Sequence, residues 1–160
     1  MTPVLAIHGS EMNEALWRWA SVKLFNSLDG FGPCSTLGIF DGGAIAGVMV
    51  YHNYDRKAAV IEISGVAETA EWLKRHVLRE MFAFPFKSLD CQMVVMRVSI
   101  NDKRLARMLT AYGFNHYKIA RLRGRHEDEL IFTLTDDDWR NNRFNQKVIV
   151  PHGQEISRAA

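Results

Sequence analysis

The chain has 160 residues, 48% hydrophobic and 24% charged, with a formal net charge of +2. That length suits one domain, and the apolar fraction excludes a disordered polymer. Two cysteines, Cys34 and Cys91, do not suggest a disulfide framework and point to a reducing cytoplasm, while no run approaches the ~18 apolar residues of a membrane helix. The opening MTPVLAIHGSEM also lacks the basic start and long apolar stretch of a secretory leader.

Residues 10–25 read as a helix, with Ser10 as its cap, Glu11 in its first turn, and Met12, Leu16 and Trp19 at helical spacing. STLGIF, the turn Asp41-Gly42-Gly43 and AIAGVMVYHNY then form a hairpin, because glycine tolerates the positive φ of such turns. A second turn near Asn53–Arg56 leads into KAAVIEISG, which completes a three-strand meander. His52 and Tyr54 stand at the hairpin end, either facing a ligand or as exposed strand-end polar residues.

The pattern changes after Gly65. From Ala70 to Phe84 an apolar stripe of Leu73, Val77 and Met81, flanked by Trp72, Leu78 and Phe82, predicts a helix that Pro85 limits. CQMVVMRVS is a strand, and Asn101-Asp102 opens a further helix carrying Leu105, Met108, Leu109 and Tyr112, with Gly113 past its end. FNHYKIARLRGR and LIFTLTDDDW flank a turn at His126–Glu129, a last hairpin. We therefore expect one domain over residues 1–139 and an irregular tail over 140–160, in which KVIV serves as an edge strand or docks on a partner.

Charge is unevenly spread: residues 67–125 hold twelve Lys and Arg against five Asp and Glu. Such an excess suits a phosphorylated cofactor or nucleic acid, and equally a solvated basic face. The histidines and cysteines show no metal-ligand spacing, and P-loop, GxSxG and dinucleotide fingerprints are absent from the sequence. No metal is expected. RLRGR, from Arg121 to Arg125, lies beside a hairpin turn and reads as a solvated strand end, so nucleic acid is not the expected partner.

The order helix, three-strand meander, helix, strand, helix, hairpin resembles the GNAT N-acetyltransferase superfamily. The stretch from Trp72 to Phe114, with Phe86, CQMVVMRVS, Asn101 and Gly113-Phe114, is similar to the branch containing ribosomal-protein N-terminal acetyltransferases and their small phage- or prophage-encoded relatives. The resemblance implies an α/β (α+β) fold with a mixed, mostly antiparallel central sheet flanked by helices. It implies acetyl-CoA as co-substrate and a primary amine as acceptor: a protein N-terminus, a lysine or a small molecule. The cytoplasmic location expected from the cysteines agrees with it, and a homodimer is a further possible partner state. The other reading is a catalytically silent domain of this fold that binds CoA, protein or nucleic acid.

The resemblance also implies site residues. Ile61 and Ile63 would offer backbone groups to the pantetheine arm. Ala70, Glu71 and Trp72 would cradle the pyrophosphate ahead of a helix, and Lys74 and Arg75 would reach phosphate oxygens. Ala70 and Trp72 stand where the family usually has two glycines. Asn101 would contact the cofactor arm or an ordered water, or else cap the next helix, with Asp102 as the alternative register. Glu62 would be the general base, drawing a proton through water; its other reading is a surface strand glutamate or the partner of an arginine. A tyrosine that often serves as general acid is replaced by Leu109, and Tyr112 reads as core.

Overall fold

Helix α1 (Glu11–Phe25) forms where the sequence predicts it, because Ser10 Oγ accepts the Asn13 N–H at 3.2 Å and Glu11 and Glu14 complement the helix dipole. The computed structural model describes residues 1–145, 149–150 and 154–155. The chain divides into two units, Met1–Arg97 and Val98–Ala160.

In the first unit the strands are β1 (Thr2–Ala6), β2 (Ser35–Asp41), β3 (Ala44–Asp55), β4 (Val60–Ala67) and β5 (Met93–Ser99), the last of which spans the division. They lie in the order β1-β2-β3-β4-β5, antiparallel throughout except for the parallel β4–β5 pair. Strand β1 has no expectation from sequence; five residues between a terminus and a polar turn give too little periodicity to read.

One sheet face meets α1 through Leu16, Ala20, Val48 and Val50. A buried polar link fixes that helix to the sheet: Asn13 donates to the Cys34 carbonyl and accepts from the Thr36 hydroxyl, both at 2.9 Å. Both ends of the Asn13 amide thus have a partner, which offsets the cost of placing it in the core.

Helix α2 (Arg75–Ala83) starts five residues later than its apolar stripe predicts. Trp72 and Leu73 are partly buried, packed against Ile39, Ala46 and Val77, but from a non-helical segment. Periodicity counted two core residues as helical because burial alone does not distinguish the two backbones. At the other end Pro85 does not stop the helix; a π-helical stretch (Phe84–Ser88) follows directly. Proline leaves the carbonyl four residues earlier without its helical donor. That carbonyl belongs to Met81, and the buried Tyr51 hydroxyl donates to it at 2.7 Å.

In the second unit α3 (Lys103–Tyr112) is capped by Asp102, which accepts the Leu105 N–H at 3.1 Å, and ends on Gly113 at φ 118°. Strands β6 (Asn115–Ile119) and β7 (Glu129–Thr135) pair antiparallel over a core that includes Leu109, Tyr112, Phe114, Phe132 and Leu134. The DDDW segment, expected to continue the last strand, forms helix α4 (Asp136–Asn141). Thr135 caps it, and its three aspartates occupy the first turn, where the dipole favours negative charge. In the tail β8 (Ile149–Val150) pairs with β9 (Gln154–Glu155). Of the expected KVIV strand, Lys147 and Val148 lie outside the described residues.

Candidate active site

Strands β4 and β5 pair at only three positions, Val60↔Met93, Ile61↔Val94 and Glu62↔Val95. Beyond Glu62 each strand runs on, β4 to Ala67 and β5 to Ser99, with no further paired residues between them. A parallel pair that opens in this way frees backbone groups on its inner edges, and those groups need another partner. Ile61 lies inside the paired stretch and Ile63 one residue past it. Both side chains are buried, on the face opposite Glu62.

The chain leaves β4 through residues 68–74 and enters α2 at Lys74, the N-cap, whose side chain makes no capping bond. No acidic residue occupies the first turn of α2, whereas α1, α3 and α4 all have side-chain caps. The first N–H groups of α2 therefore point outward with the positive end of the dipole behind them. Ala70 and Glu71 form an exposed turn, and Glu71 lies 3.8 Å from the Lys74 ammonium. The Trp72 ring is turned onto the sheet over Gly47 and Gly65: a Cβ at Gly47 would stand 3.0 Å from it, and one at Gly65 3.4 Å. Arg75 is exposed in the first helical turn. His76 donates from Nε2 to the Met1 carbonyl at 2.7 Å, which ties the helix start to the chain's first residue.

Glu62 stands on the α1 side of the sheet with its side chain 15% exposed. It is not a bare surface glutamate: among the described residues its hydrogen bond comes from an amide, and an imidazole stands near it. Its Oε2 accepts from Asn53 Nδ2 at 2.9 Å, and its Oε1 lies 3.8 Å from His52 Nε2. His52 is its cross-strand partner, and shares a hydrogen bond of 2.8 Å with the Ser64 hydroxyl. The edge of Phe31 packs on the His52 ring, centroids 5.1 Å apart.

His52 is thus not the exposed strand-end residue that its position in the hairpin suggests; it is 8% exposed. Burial holds its imidazole below the usual range, Glu62 pulls it back up, and the Arg97 charge pushes it further down. A neutral ring 3.8 Å from a carboxylate is not an ion pair. Tyr54, by contrast, is exposed, with its hydroxyl 3.5 Å from the Leu89 carbonyl.

Asn101 belongs to the second unit and is exposed there. It donates to Glu127 at 3.1 Å, and the cap of α3 is Asp102, not Asn101. Tyr112 is buried against Phe114 and Phe144, with its hydroxyl pushed up by burial. Leu109 is buried as well. Sequence reading did not find Asn53, Ser64 or Phe31. Only Asn53 left a trace, as an asparagine beside a turn, where that residue tolerates a left-handed backbone.

Strand order, the short parallel β4–β5 pair and the helices against the sheet define the GNAT acetyltransferase fold. Solved structures agree. A chimera of the spermidine N-acetyltransferase SpeG from Vibrio cholerae with hSSAT matches at a TM-score of 0.69 and 10% identity, over 89% of this chain and 100% of that one. SpeG itself, as a single-site mutant, matches at 0.60 and 11%, over 77% and 74%. A GCN5-related N-acetyltransferase from Brucella melitensis matches at 0.56 and 17%, over 65% and 52%. Other neighbours described as acetyltransferases, one from T. thermophilus, are spanned over 61% of their own length. No protein-family model matches the sequence, and neither does any curated protein. Among the described residues no helix is long and apolar enough to cross a membrane, and no group of three or more His, Cys, Asp or Glu is placed to hold a metal ion.

Proposed function

We infer that the protein is an acetyl-CoA-dependent N-acetyltransferase acting on a primary amine. The observation that carries this is the opening of β4 from β5 immediately after Glu62. It leaves backbone donors and acceptors of residues 63–67 beside a partly buried carboxylate. An extended amide-bearing chain fits such an edge, because it pairs with groups that the fold leaves free. The uncapped start of α2 fits the pyrophosphate of the same molecule, with first-turn N–H groups and the charges of Lys74 and Arg75. Ala70, Glu71 and Trp72 then contribute by their backbone turn, since Trp72 keeps its ring on the sheet. Asn101 remains a proposed contact of the cofactor arm.

Acetyl-CoA supplies an activated acyl group whose thiolate is a stable leaving group. The chain's own part is to hold and deprotonate the acceptor. An alkylammonium must lose a proton before its nitrogen can attack the thioester carbonyl. Glu62 is the base, directly or through one water, with Oε1 toward the incoming proton and Oε2 held by Asn53. The neutral amine attacks to form the C–N bond, the C–S bond then breaks, and the second nitrogen proton goes to the departing thiolate; backbone N–H groups past Glu62 would stabilise negative charge on the carbonyl oxygen.

The acceptor is a protein N-terminus, a lysine or a small amine, used in the cytoplasm, and the nearest branch is the ribosomal-protein N-terminal acetyltransferases with their phage-encoded relatives. SpeG, a neighbour in fold, is a spermidine acetyltransferase, so polyamines belong in the acceptor screen. A silent CoA-binding domain is the second reading. The burial of Leu109, where a general-acid tyrosine often stands, favours it. Titration with acetyl-CoA tests both. Binding should raise stability by about 2.7 kcal/mol at a hundredfold excess over Kd. No binding up to millimolar cofactor removes both readings, while binding without turnover on any amine removes the enzyme.

A further inference from the structure

We propose that Asn53 is a positioning residue for Glu62, brought to it by a β-bulge; this rests on Glu62 as the base, the reading given above. The register of β3 on β4 jumps from His52↔Glu62 to Asp55↔Val60, so Asn53 and Tyr54 together oppose the single residue Ile61. Asn53 takes the left-handed conformation, φ 49°. In a regular strand residue 53 would point to the face of Tyr51, away from Glu62, because side chains alternate. The bulge cancels one step of that alternation and re-aims the amide across the strand, where Nδ2 donates to Glu62 Oε2 at 2.9 Å. Asparagine is suited to both demands: it tolerates positive φ better than other residues with a Cβ, and it carries a neutral donor.

The consequence is a carboxylate with unequal oxygens. Oε2 is occupied by Asn53, and Oε1 faces the neutral His52 ring at 3.8 Å, leaving Oε1 as the site for a new proton. A cationic donor in Asn53's place would lower the basicity of the whole group; an amide orients it at smaller cost to basicity. The other groups around this pair are Ser64 on β4, Arg97 on β5, whose charge acts on His52, and Phe31 against the His52 ring.

The test is Asn53→Gly, which removes the donor yet adopts φ 49° without strain, measured beside Glu62→Gln and the double variant. We expect Asn53→Gly to lower kcat about tenfold, a fraction of the ~10²–10⁴ worth of a general base, with acetyl-CoA affinity unchanged. Asn53→Asp, which replaces the donor by a second carboxylate, should lower kcat at least as far, again with acetyl-CoA affinity unchanged. In the Glu62→Gln background Asn53→Gly should change kcat by less than about twofold, since the two act as one unit. Wild-type kcat in Asn53→Gly, with Glu62→Gln impaired, overturns the role of Asn53 and leaves Glu62 as base. An equal loss in both backgrounds overturns it too, as a purely structural effect. Full turnover in Glu62→Gln overturns the base itself, and the positioning role with it.

Discussion

Two enclosed carboxylates stand on strands, one in each unit, and they are held in opposite ways. Glu129, the first residue of β7, has a side chain 1% exposed and takes a guanidinium bond of 2.7 Å from Arg123. Arg123 in turn reaches Glu127 at 3.3 Å, and Glu127 accepts from Asn101. Glu62 is nearly as enclosed, at 15%, but its hydrogen bond comes from a neutral amide and its near neighbour is a neutral imidazole. A donated hydrogen bond favours a carboxylate's charged form, and a cationic donor does so more strongly than a neutral amide. Burial alone therefore does not mark a reactive group, and the charge of its partner does.

The sharpest break of this contrast is Glu62→Gln. Turnover on a good acceptor should fall by about 10²–10⁴ while melting temperature and acetyl-CoA affinity stay near wild type, and the loss should shrink at alkaline pH, where amines are already neutral. Parallel losses of binding, rate and stability would instead make Glu62 a structural residue like Glu129. The converse variant is Arg123→Ala, which removes this charged hydrogen bond from the buried Glu129. Denaturant unfolding should show a loss of about 1.5–3 kcal/mol, with kcat per folded molecule kept. A stability change below about 0.5 kcal/mol would mean that water replaces Arg123 without penalty.

A smaller effect belongs to His52. Because its folded-state affinity for protons is depressed, its contribution to stability is present above the unfolded value of about 6.5 and is lost as pH falls through the lower folded value. The melting temperature should drop between about pH 7.5 and 5, and less so in His52→Gln. Identical profiles for the two proteins would show that His52 stays neutral at no cost. The smallest expected signal is from the cysteines. Burial raises both thiols, Cys91 to about 11, so alkylating reagents at neutral pH should leave the native protein unlabelled and modify both residues once it unfolds. Rapid native labelling of either one would point to local opening around it.

How much of this was legible in sequence depended on what kind of physics set each feature. Helices α1 and α3 and the meander were readable because caps, glycine turns and apolar spacing are local signals. The start of α2 was not, because Trp72 and Leu73 are apolar for the sake of a sheet surface distant in sequence. Nor was the run of helix past Pro85, which depends on the hydroxyl of Tyr51, far earlier in the chain. At the site, Glu62 could be picked out as a carboxylate between two isoleucines. Its neighbours could not: the bulge that delivers Asn53 is a register shift between strands, and the burial of His52 depends on Phe31 from a distant loop.

Trp72 and the two glycines beneath it carry a further consequence, for heredity. A β-carbon at position 47 would meet the indole at 3.0 Å and the Val66 carbonyl at 3.2 Å, while one at position 65 would collide first with the movable end of Met49. Positions 47 and 72 thus share one exchangeable volume, and positions 65 and 49 another. In the descendants of this sequence a larger residue at 47 should appear with a smaller one at 72, whereas position 65 can drift with 49 alone. Mutational scanning of paired libraries would register this as strong coupling between 47 and 72 and weak coupling between 65 and 72, a fingerprint of how the indole lies that needs no diffraction to read.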